Sequence, residues 1–244
     1  MDDRKPQVDR SVFYRHYSEH KQWIERELTD DIDRFSRTMG KLRLSPKASI
    51  LEIGFGEGRF LDWARSKGHH VEGIEIIPEM VDRARKRDHV VHLGRIRQAI
   101  SDGRRFDLIA AFDVIEHFSV AEILDFLEDA EYVLNPGGRL VLQFPNAGSP
   151  FSAPYQIGDV THQTALSEAA LNQISQTKGW VVTNSFNARV THKPWLKRLK
   201  WGVAHLIRDA IEIVCAFAYY GWRYPFDPNV VAVLERSKAA TGQE

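Results

Sequence analysis

Cysteine is almost missing from this chain. Cys215 stands alone among 244 residues, which removes both an intrachain disulfide and a cysteine-cluster zinc site and suits a reducing, cytoplasmic setting. Net charge is missing as well, because 33 basic side chains balance 33 acidic ones. No global field then recruits a polyanion, and a nucleic-acid partner is not expected. Apolar runs stay shorter than the ~18 residues a membrane-spanning helix needs. The charge-dense opening from Met1 to Asp33 lacks the pattern of a secretory leader. Internal repeats and low-complexity stretches are absent too. What is left is a chain long enough to bury a full core, read as one domain with attachments.

The chemistry is concentrated between residues 50 and 76. An apolar run, Ile50-Leu51-Glu52-Ile53, passes into Gly54-Phe55-Gly56-Glu57-Gly58, and a helical pattern carrying Phe60, Leu61 and Trp63 begins. A second run, Val71-Glu72-Gly73-Ile74-Glu75-Ile76, ends on another acid. Glycines let backbone approach a ligand with no Cβ between, and a carboxylate at the tip of the next strand can accept from both ribose hydroxyls. The glycines fall at every second position, with Glu52 two residues ahead. That is not the G-x-G-x-x-G spacing that turns a helix N-terminus onto a pyrophosphate.

Residues 1–45 read as a charged helical arm, with Val12, Phe13, Tyr17, Trp23, Ile24, Leu28, Ile32 and Phe35 at roughly helical spacing. Pro46 stops it. From 46 onward strand and helix alternate: strands at 48–53, 70–76, 90–93, 106–112 and 139–144, helices after Gly58, at 79–87 and at 120–133. Asn135-Pro136-Gly137-Gly138 closes the last of these helices, since proline cannot continue it and glycine permits the left-handed turn. Ser167 caps one more helix, and strands at 180–190 and 230–234 complete the pattern. The expected fold is α/β: a doubly wound, mostly parallel seven-stranded sheet, with a helical insert at 191–228 between the last two strands.

The E-x-G-x-G-x-G pattern of Glu52 to Gly58 resembles motif I of the class I S-adenosylmethionine-dependent methyltransferases. Asp107-Leu108-Ile109-Ala110-Ala111-Phe112-Asp113-Val114-Ile115-Glu116-His117-Phe118 is similar to the strand-four motif of that superfamily, and Leu134-Asn135-Pro136-Gly137-Gly138-Arg139-Leu140 to its L-x-P-G-G-x-L turn. The resemblance implies S-adenosylmethionine as cofactor, with S-adenosylhomocysteine as product. It implies Gly54, Phe55, Gly56 and Gly58 as the floor under the methionine moiety, Glu52 orienting its ammonium, and Glu75 with Ile76 at the ribose. Asp113 and Val114 would lie beside the cofactor at the tip of strand four. One departure stands out: relatives often place an acid after strand three for the adenine amine, whereas His92-Leu93-Gly94-Arg95-Ile96-Arg97 has none. Arg95 and Ile96 would then hold the base through backbone and apolar contact.

For the acceptor, Gly158-Asp159-Val160-Thr161-His162 through Ser167 resembles the G-D-x-T-H-x-x-x-x-S segment of methyltransferases in polysaccharide and other cell-surface glycan pathways, and ubiquinone-type O-methyltransferases have a related T-H. His162 suits a general base because imidazole titrates near neutrality, and Asp159 would orient it. The competing reading is a structural turn in which both residues bond local backbone. His117 is a further catalytic candidate, beside Glu116, unless the pair only braces loops. No metal is expected: His69, His70, His89, His92, His192 and His205 lack ligand spacing with a carboxylate pair. The insert, with a basic start (Lys193, Lys197, Arg198, Lys200) and an apolar continuation, reads as a lid, a homodimer contact, or a peripheral contact with the inner face of a membrane. The reading that joins these features is methyl transfer to a hydroxyl oxygen of a small-molecule or glycan-like acceptor. N- or carboxyl-methylation is the nearest alternative. A nicotinamide oxidoreductase or a non-catalytic scaffold on the same fold lies further off.

Overall fold

Short apolar runs bounded by glycine, proline or an acid become strands wherever both faces can be covered, and a computed structural model, which describes residues 28–190 and 194–237, shows how they are covered. The elements are α1 (Leu28–Gly40), β1 (Ser49–Ile53), α2 (Arg59–Ser66), β2 (His70–Glu75), α3 (Pro78–Arg85), β3 (Val90–Leu93), α4 (Ile96–Ala99) and β4 (Phe106–Phe112). A 3₁₀ turn (Ile115–His117) follows, then α5 (Val120–Val133), β5 (Leu134–Pro145), α6 (Ala153–Ile157), α7 (Glu168–Gln176), β6 (Trp180–Asn187), α8 (Trp195–Cys215), a π turn (Ala216–Tyr220) and β7 (Asn229–Arg236).

The strands form one seven-stranded sheet in the order β3-β2-β1-β4-β5-β7-β6. All neighbours pair in parallel except β7, which runs antiparallel to both β5 and β6. The period of two along each strand sends neighbouring residues to opposite faces. Leu51, Ile109 and Leu142 meet α5 and α7 on one face, in a core with Ile123, Leu127 and Leu171. Ile50, Leu108 and Val141 meet α1 and α2 on the other, with Phe35, Phe60 and Trp63. Such side chains contribute roughly 1.5–3 kcal/mol each when fully buried.

The end of the arm belongs to this second core. Phe35 of α1 packs edge-on against Phe60 (centroids 5.2 Å) and against Phe112 (5.1 Å), and the indole N–H of Trp63 donates to Ser36 Oγ (2.9 Å). Val12, Phe13, Tyr17, Trp23 and Ile24, the earlier part of the expected helical spacing, lie outside the described residues.

Among the strands, two boundaries differ from the sequence expectation by three residues or more. β5 begins at Leu134 rather than Arg139, because Leu134 already pairs with Phe106 before the register shifts across the Pro-Gly-Gly turn. Gly138 is tightly held there, since a Cβ would lie 2.9 Å from the Asn135 carbonyl oxygen. β6 ends at Asn187 rather than 190, where Arg189 turns away to bond Asp227 (2.9 Å) and Asp209 (2.7 Å). Replacing Phe35 by alanine should cost about 3–5 kcal/mol in denaturant unfolding. A loss under ~1 kcal/mol would show that α1 is dispensable to the core.

Candidate active site

Between β1 and α2 the backbone takes a path that side chains resist. Gly54, Gly56 and Gly58 all have positive φ (65°, 50° and 71°), where a residue with a Cβ pays about 1–2 kcal/mol. Their surroundings differ. A Cβ on Gly54 would lie 2.6 Å from a Val114 methyl, so that glycine is needed for packing, whereas nothing lies within 4 Å of the position at Gly56. The loop is open at its middle glycine. Phe55 points the other way, into a cluster with Leu61, Met80 and Val81, and lies so close over Gly73 that a Cβ there would be 2.6 Å from its ring. Phe55 thus brings backbone to the loop but no side chain to a ligand.

Acids and amides line the carboxyl edge of the sheet beside this opening. Glu75 Oε2 accepts from the Gly56 N–H (3.0 Å), and Oε1 accepts from Ile76 and Ile77 (2.7 and 3.2 Å). Three amides therefore aim its carboxylate at the glycine loop. Glu52 is 4% exposed. It takes a backbone hydrogen bond from Leu61, while its Oε2 has no partner among the described residues. Burial, and then the charge of Glu75, push its carboxyl well above the usual carboxylate range, partly offset by Arg34. Asp113, at the tip of β4, holds a left-handed φ of 59° that is uncommon outside glycine. Its Oδ1 accepts from Gln143 Nε2 (3.0 Å), which leaves the buried Gln143 Oε1 without a partner. Two acceptors without a partner among the described residues, Glu52 Oε2 on β1 and Gln143 Oε1 on β5 two strands away, suit a ligand that brings its own donors, such as an ammonium group. Gln143 was not anticipated; its signal was a lone polar residue inside Leu140-Val141-Leu142-Gln143-Phe144.

The base-binding expectation needs one correction. Ile96 is 4% exposed and belongs to the main core with Ile100 and Phe106, because the short α4 folds its apolar side inward. It has no surface to offer a nucleobase. Arg95 stays outside, 3.8 Å from Glu122. The exposed apolar side chains at the ends of β2 and β3 are Ile76 and Leu93, and Leu93 is the register partner of Glu75. Val114 packs against Gly54, at the loop's inner side.

The second half of the site is made by fastening one loop to another. The Glu116 carbonyl accepts from the amides of both Gln163 (2.8 Å) and Thr164 (3.2 Å), and Thr164 Oγ1 donates to the Phe118 carbonyl (2.6 Å). The loop after α6 is thereby pinned to the 3₁₀ turn. As a result the rings of His117 and His162 meet edge to face, 4.8 Å apart, and His162 Nε2 stands 3.9 Å from Glu116 Oε1. His162 Nδ1 lies 3.1 Å from the Gln156 carbonyl oxygen. A carbonyl can only accept, so Nδ1 carries a proton, and Nε2 is the ring nitrogen that faces the cluster.

Asp159 takes a different part from the one expected. Its Oδ1 accepts from the amide and hydroxyl of Thr161 (2.9 and 2.5 Å), and Thr161 Oγ1 meets His117 Nδ1 (2.9 Å). The carboxylate thus reaches His117 through a hydroxyl, while the ring of His162 is oriented by Gln156 and Glu116. Burial alone would raise the Asp159 carboxyl; the Thr161 bonds and the charges of His117 and His162 hold it below the usual range.

The ligand atoms of Glu116, His117 and His162 all lie within 4.8 Å of one another. Two imidazoles and a carboxylate are a donor set that a divalent cation can use, one that 46 residues of separation hid from a search for ligand spacing. Other histidines have structural partners: His89 bonds Asp62 (2.9 Å), His92 bonds Glu72 (2.7 Å) and His205 faces the Val190 carbonyl (3.4 Å). His192 lies outside the described residues. A cleft of about 310 Å³ opens elsewhere, between α1, β6 and the insert, lined by Lys41, Phe186, Arg189, Arg223 and Tyr224 among others, and includes none of the glycine-loop residues.

The raised carboxyl of Glu52 has a signature in stability. A folded-state value above the unfolded one means that stability falls as pH climbs from the ordinary carboxylate range through the raised value. The Glu52→Gln protein, free of ligand, should therefore match wild type near pH ~4 and melt above it at pH ~8. A difference that stays constant across that range would show that Glu52 titrates as an ordinary carboxylate.

Comparison with known proteins agrees with this arrangement. A family model described as a methyltransferase domain matches residues 17–229. The tRNA 5-carboxymethoxyuridine methyltransferase of Escherichia coli (strain K12) is 28% identical over 161 residues, 60% of this chain and 56% of that one. The ubiquinone biosynthesis O-methyltransferase of Xylella fastidiosa (strain M23) is 29% identical over 106 residues, 41% of this chain and 42% of that one. The chain spans about half the length of the curated relatives it matches. Among solved structures, a SAM dependent methyltransferase from Archaeoglobus fulgidus shares the fold at a TM-score of 0.67 with 16% identity, covering 91% of this chain and 100% of that one. With all but its two ends inside the domain model, and the sheet in hand, the chain belongs to the class I S-adenosylmethionine-dependent methyltransferases.

Proposed function

We propose that this protein transfers the methyl group of S-adenosylmethionine to a hydroxyl oxygen of a small-molecule or glycan-like acceptor, with His162 as the general base. The observation that carries the reading is the position of His162 Nε2, turned into the cluster while the Gln156 carbonyl holds Nδ1, and standing 3.9 Å from the Glu116 carboxylate. The G-D-x-T-H segment that holds it resembles that of glycan-pathway methyltransferases, and the Xylella fastidiosa relative is named an O-methyltransferase. The balanced charge of the chain favours a small acceptor over the tRNA named for the Escherichia coli relative.

The cofactor, when bound, supplies a methyl carbon already activated by its sulfonium. The chain's own residues position and deprotonate. Gly56 admits the ligand to the loop, Glu75 offers a pre-aimed carboxylate to the ribose hydroxyls, and Glu52 with Gln143 accepts from the amino group of the methionine moiety. With the cofactor bound, its sulfonium would give up the methyl group to the acceptor oxygen and leave as the thioether, and His162 Nε2 would take the acceptor's proton. Glu116 then faces a cationic ring, where its buried charge stabilises the imidazolium. The side chain of His162 is 8% exposed, so bulk water competes little for that nitrogen. His117 is held by Thr161 and Asp159 as a second ring against the first. Proximity and alignment supply most of the rate, because the electrophile needs no further activation.

Calorimetry with S-adenosylhomocysteine tests the cofactor half. Glu75→Ala should weaken binding by about 1.5–3 kcal/mol, and Gly56→Ala should abolish it while costing only about 1–2 kcal/mol of stability from its left-handed backbone. Absence of binding to wild type sinks the reading. For the chemistry, His162→Ala should lower kcat toward a hydroxyl acceptor by about 10²–10⁴ and leave S-adenosylhomocysteine affinity unchanged. An undiminished kcat would point to an amine or carboxylate acceptor, which needs less help from a base. Chelation should leave the rate unaltered; loss of activity with a chelator, restored by a divalent ion, would reassign Glu116, His117 and His162 as metal ligands.

A further inference from the structure

The insert helix α8 is amphipathic in reverse. The side turned to the protein is polar: Glu212 bonds Asn187 (2.8 Å) and Arg223 (2.6 Å), Asp209 bonds Arg189 (2.7 Å), and Arg208 lies 3.6 Å from Asp227. The side turned away is apolar. Leu196, Leu199, Val203, Leu206, Ile213 and Phe217 recur at helical spacing and are each half exposed or more, with Phe217 at 91%. A surface helix ordinarily buries such a stripe and shows water its charges. Here an ion-pair network holds the helix to the sheet and leaves the stripe outward, a contiguous apolar patch of the kind that marks an interaction site.

Charge says what the patch meets. From Trp195 to Ile207 the helix carries Lys197, Arg198 and Lys200, all exposed, and no acid. The acids that follow, Asp209 and Glu212, are paired with arginines on the inner side. An outward face that is apolar with an exclusively cationic flank fits the boundary of an anionic bilayer, where side-chain cations meet headgroups and the apolar stripe enters the acyl region. A second copy of the chain would set these cations against a face with no acid to answer them. Trp195, Tyr219 and Trp222, all exposed, are residue types that settle at the headgroup level. No helix among the described residues is long and apolar enough to cross a membrane, so the contact is along the surface.

The patch is continuous with the mouth of the site. Ring contacts run from Tyr219 to Tyr220 (6.3 Å), to Tyr224 (5.1 Å), to Phe226 (5.5 Å) and on to Phe151 (5.7 Å) in the loop after β5. That loop exposes Tyr155, Ile157 and Val160, the last between Asp159 and Thr161 and two residues before His162. Hydrogen bonds from Asn146 to the Pro225 carbonyl (2.8 Å) and from Ser149 to the Phe226 carbonyl (2.6 Å) lock the two segments together.

We infer that this surface seats the protein on an anionic bilayer, α8 lying along the headgroup layer and the 151–160 loop against the same plane. Seating needs no acceptor and no turnover, so it is tested apart from the transfer reaction. The full chain is sedimented with vesicles of phosphatidylcholine alone or mixed equally with phosphatidylglycerol, at low and high salt. Wild type should partition onto the mixed vesicles with a blue-shifted tryptophan emission, weakly onto the neutral ones, and less as salt rises. The double variant Leu199→Gln, Leu206→Gln should lose tenfold or more, and Ile157→Ser should lose part. Lys197→Gln and Lys200→Gln should each cost about fivefold on the anionic vesicles. All five positions are exposed, and unchanged circular dichroism and melting midpoints confirm that the variants fold. Equal partitioning of wild type and the double variant, or none by either, overturns the inference. So does a wild-type dimer in sedimentation velocity that the double variant dissociates, which would assign the face to a second copy.

Discussion

At three positions between Ile53 and Arg59 the chain follows a path that no residue with a Cβ takes comfortably. That restriction organises the molecule. Three left-handed glycines turn β1 into α2 within five residues, which puts the amide of Gly56 in reach of Glu75 on the neighbouring strand and lets Val114 close over Gly54. Each contact ties a different strand to the same small turn. The opening at Gly56 is therefore not a gap in packing but a place in this turn where no described residue stands over the backbone.

Around this turn the protein tolerates electrostatic arrangements that a core would avoid. Glu52 is buried next to a second acid, and its ionised form is correspondingly disfavoured in the free protein. A ligand ammonium would reverse the balance, so the strain of the empty site and the affinity of the filled one have a common source. The acid–base cluster is built on the opposite plan. There the acid is satisfied by donors: Thr161 gives Asp159 both its amide and its hydroxyl, and the Gln156 carbonyl accepts from Nδ1 of His162.

Much of this was legible from residue order alone, for identifiable reasons. β3, β4 and α5 fall where expected because local cues bound them: the Ser119–Glu122 capping box opens α5, and asparagine, proline and glycines close it. The glycine loop and Glu75 were readable because their spacing is itself the constraint. Ile96 was misjudged since nothing local distinguishes an apolar side chain facing a ligand from one facing Ile100 and Phe106. The meeting of His117 with His162 depends on a carbonyl accepting two amides from a distant loop, and main-chain acceptors have no sequence signature. α8 shows the converse difficulty. Its basic start and apolar continuation announced a contact helix but not which side the sheet would take, a choice made by Arg189, Arg223 and Asn187.

The reversed direction of β7 bears on how such a protein can change. β6 runs with its parallel neighbours, so it ends at the rim where the glycine loop and the histidines lie, and β7 must start from that same rim. Whatever joins them hangs above the ligand entrance, yet both of its attachment points belong to a hairpin whose ladder is complete without it. The connection can be lengthened, shortened or exchanged without disturbing a single strand pairing. Selectivity for what approaches the entrance can thus diverge quickly while the cofactor half stays still, much as a tool holder accepts different heads.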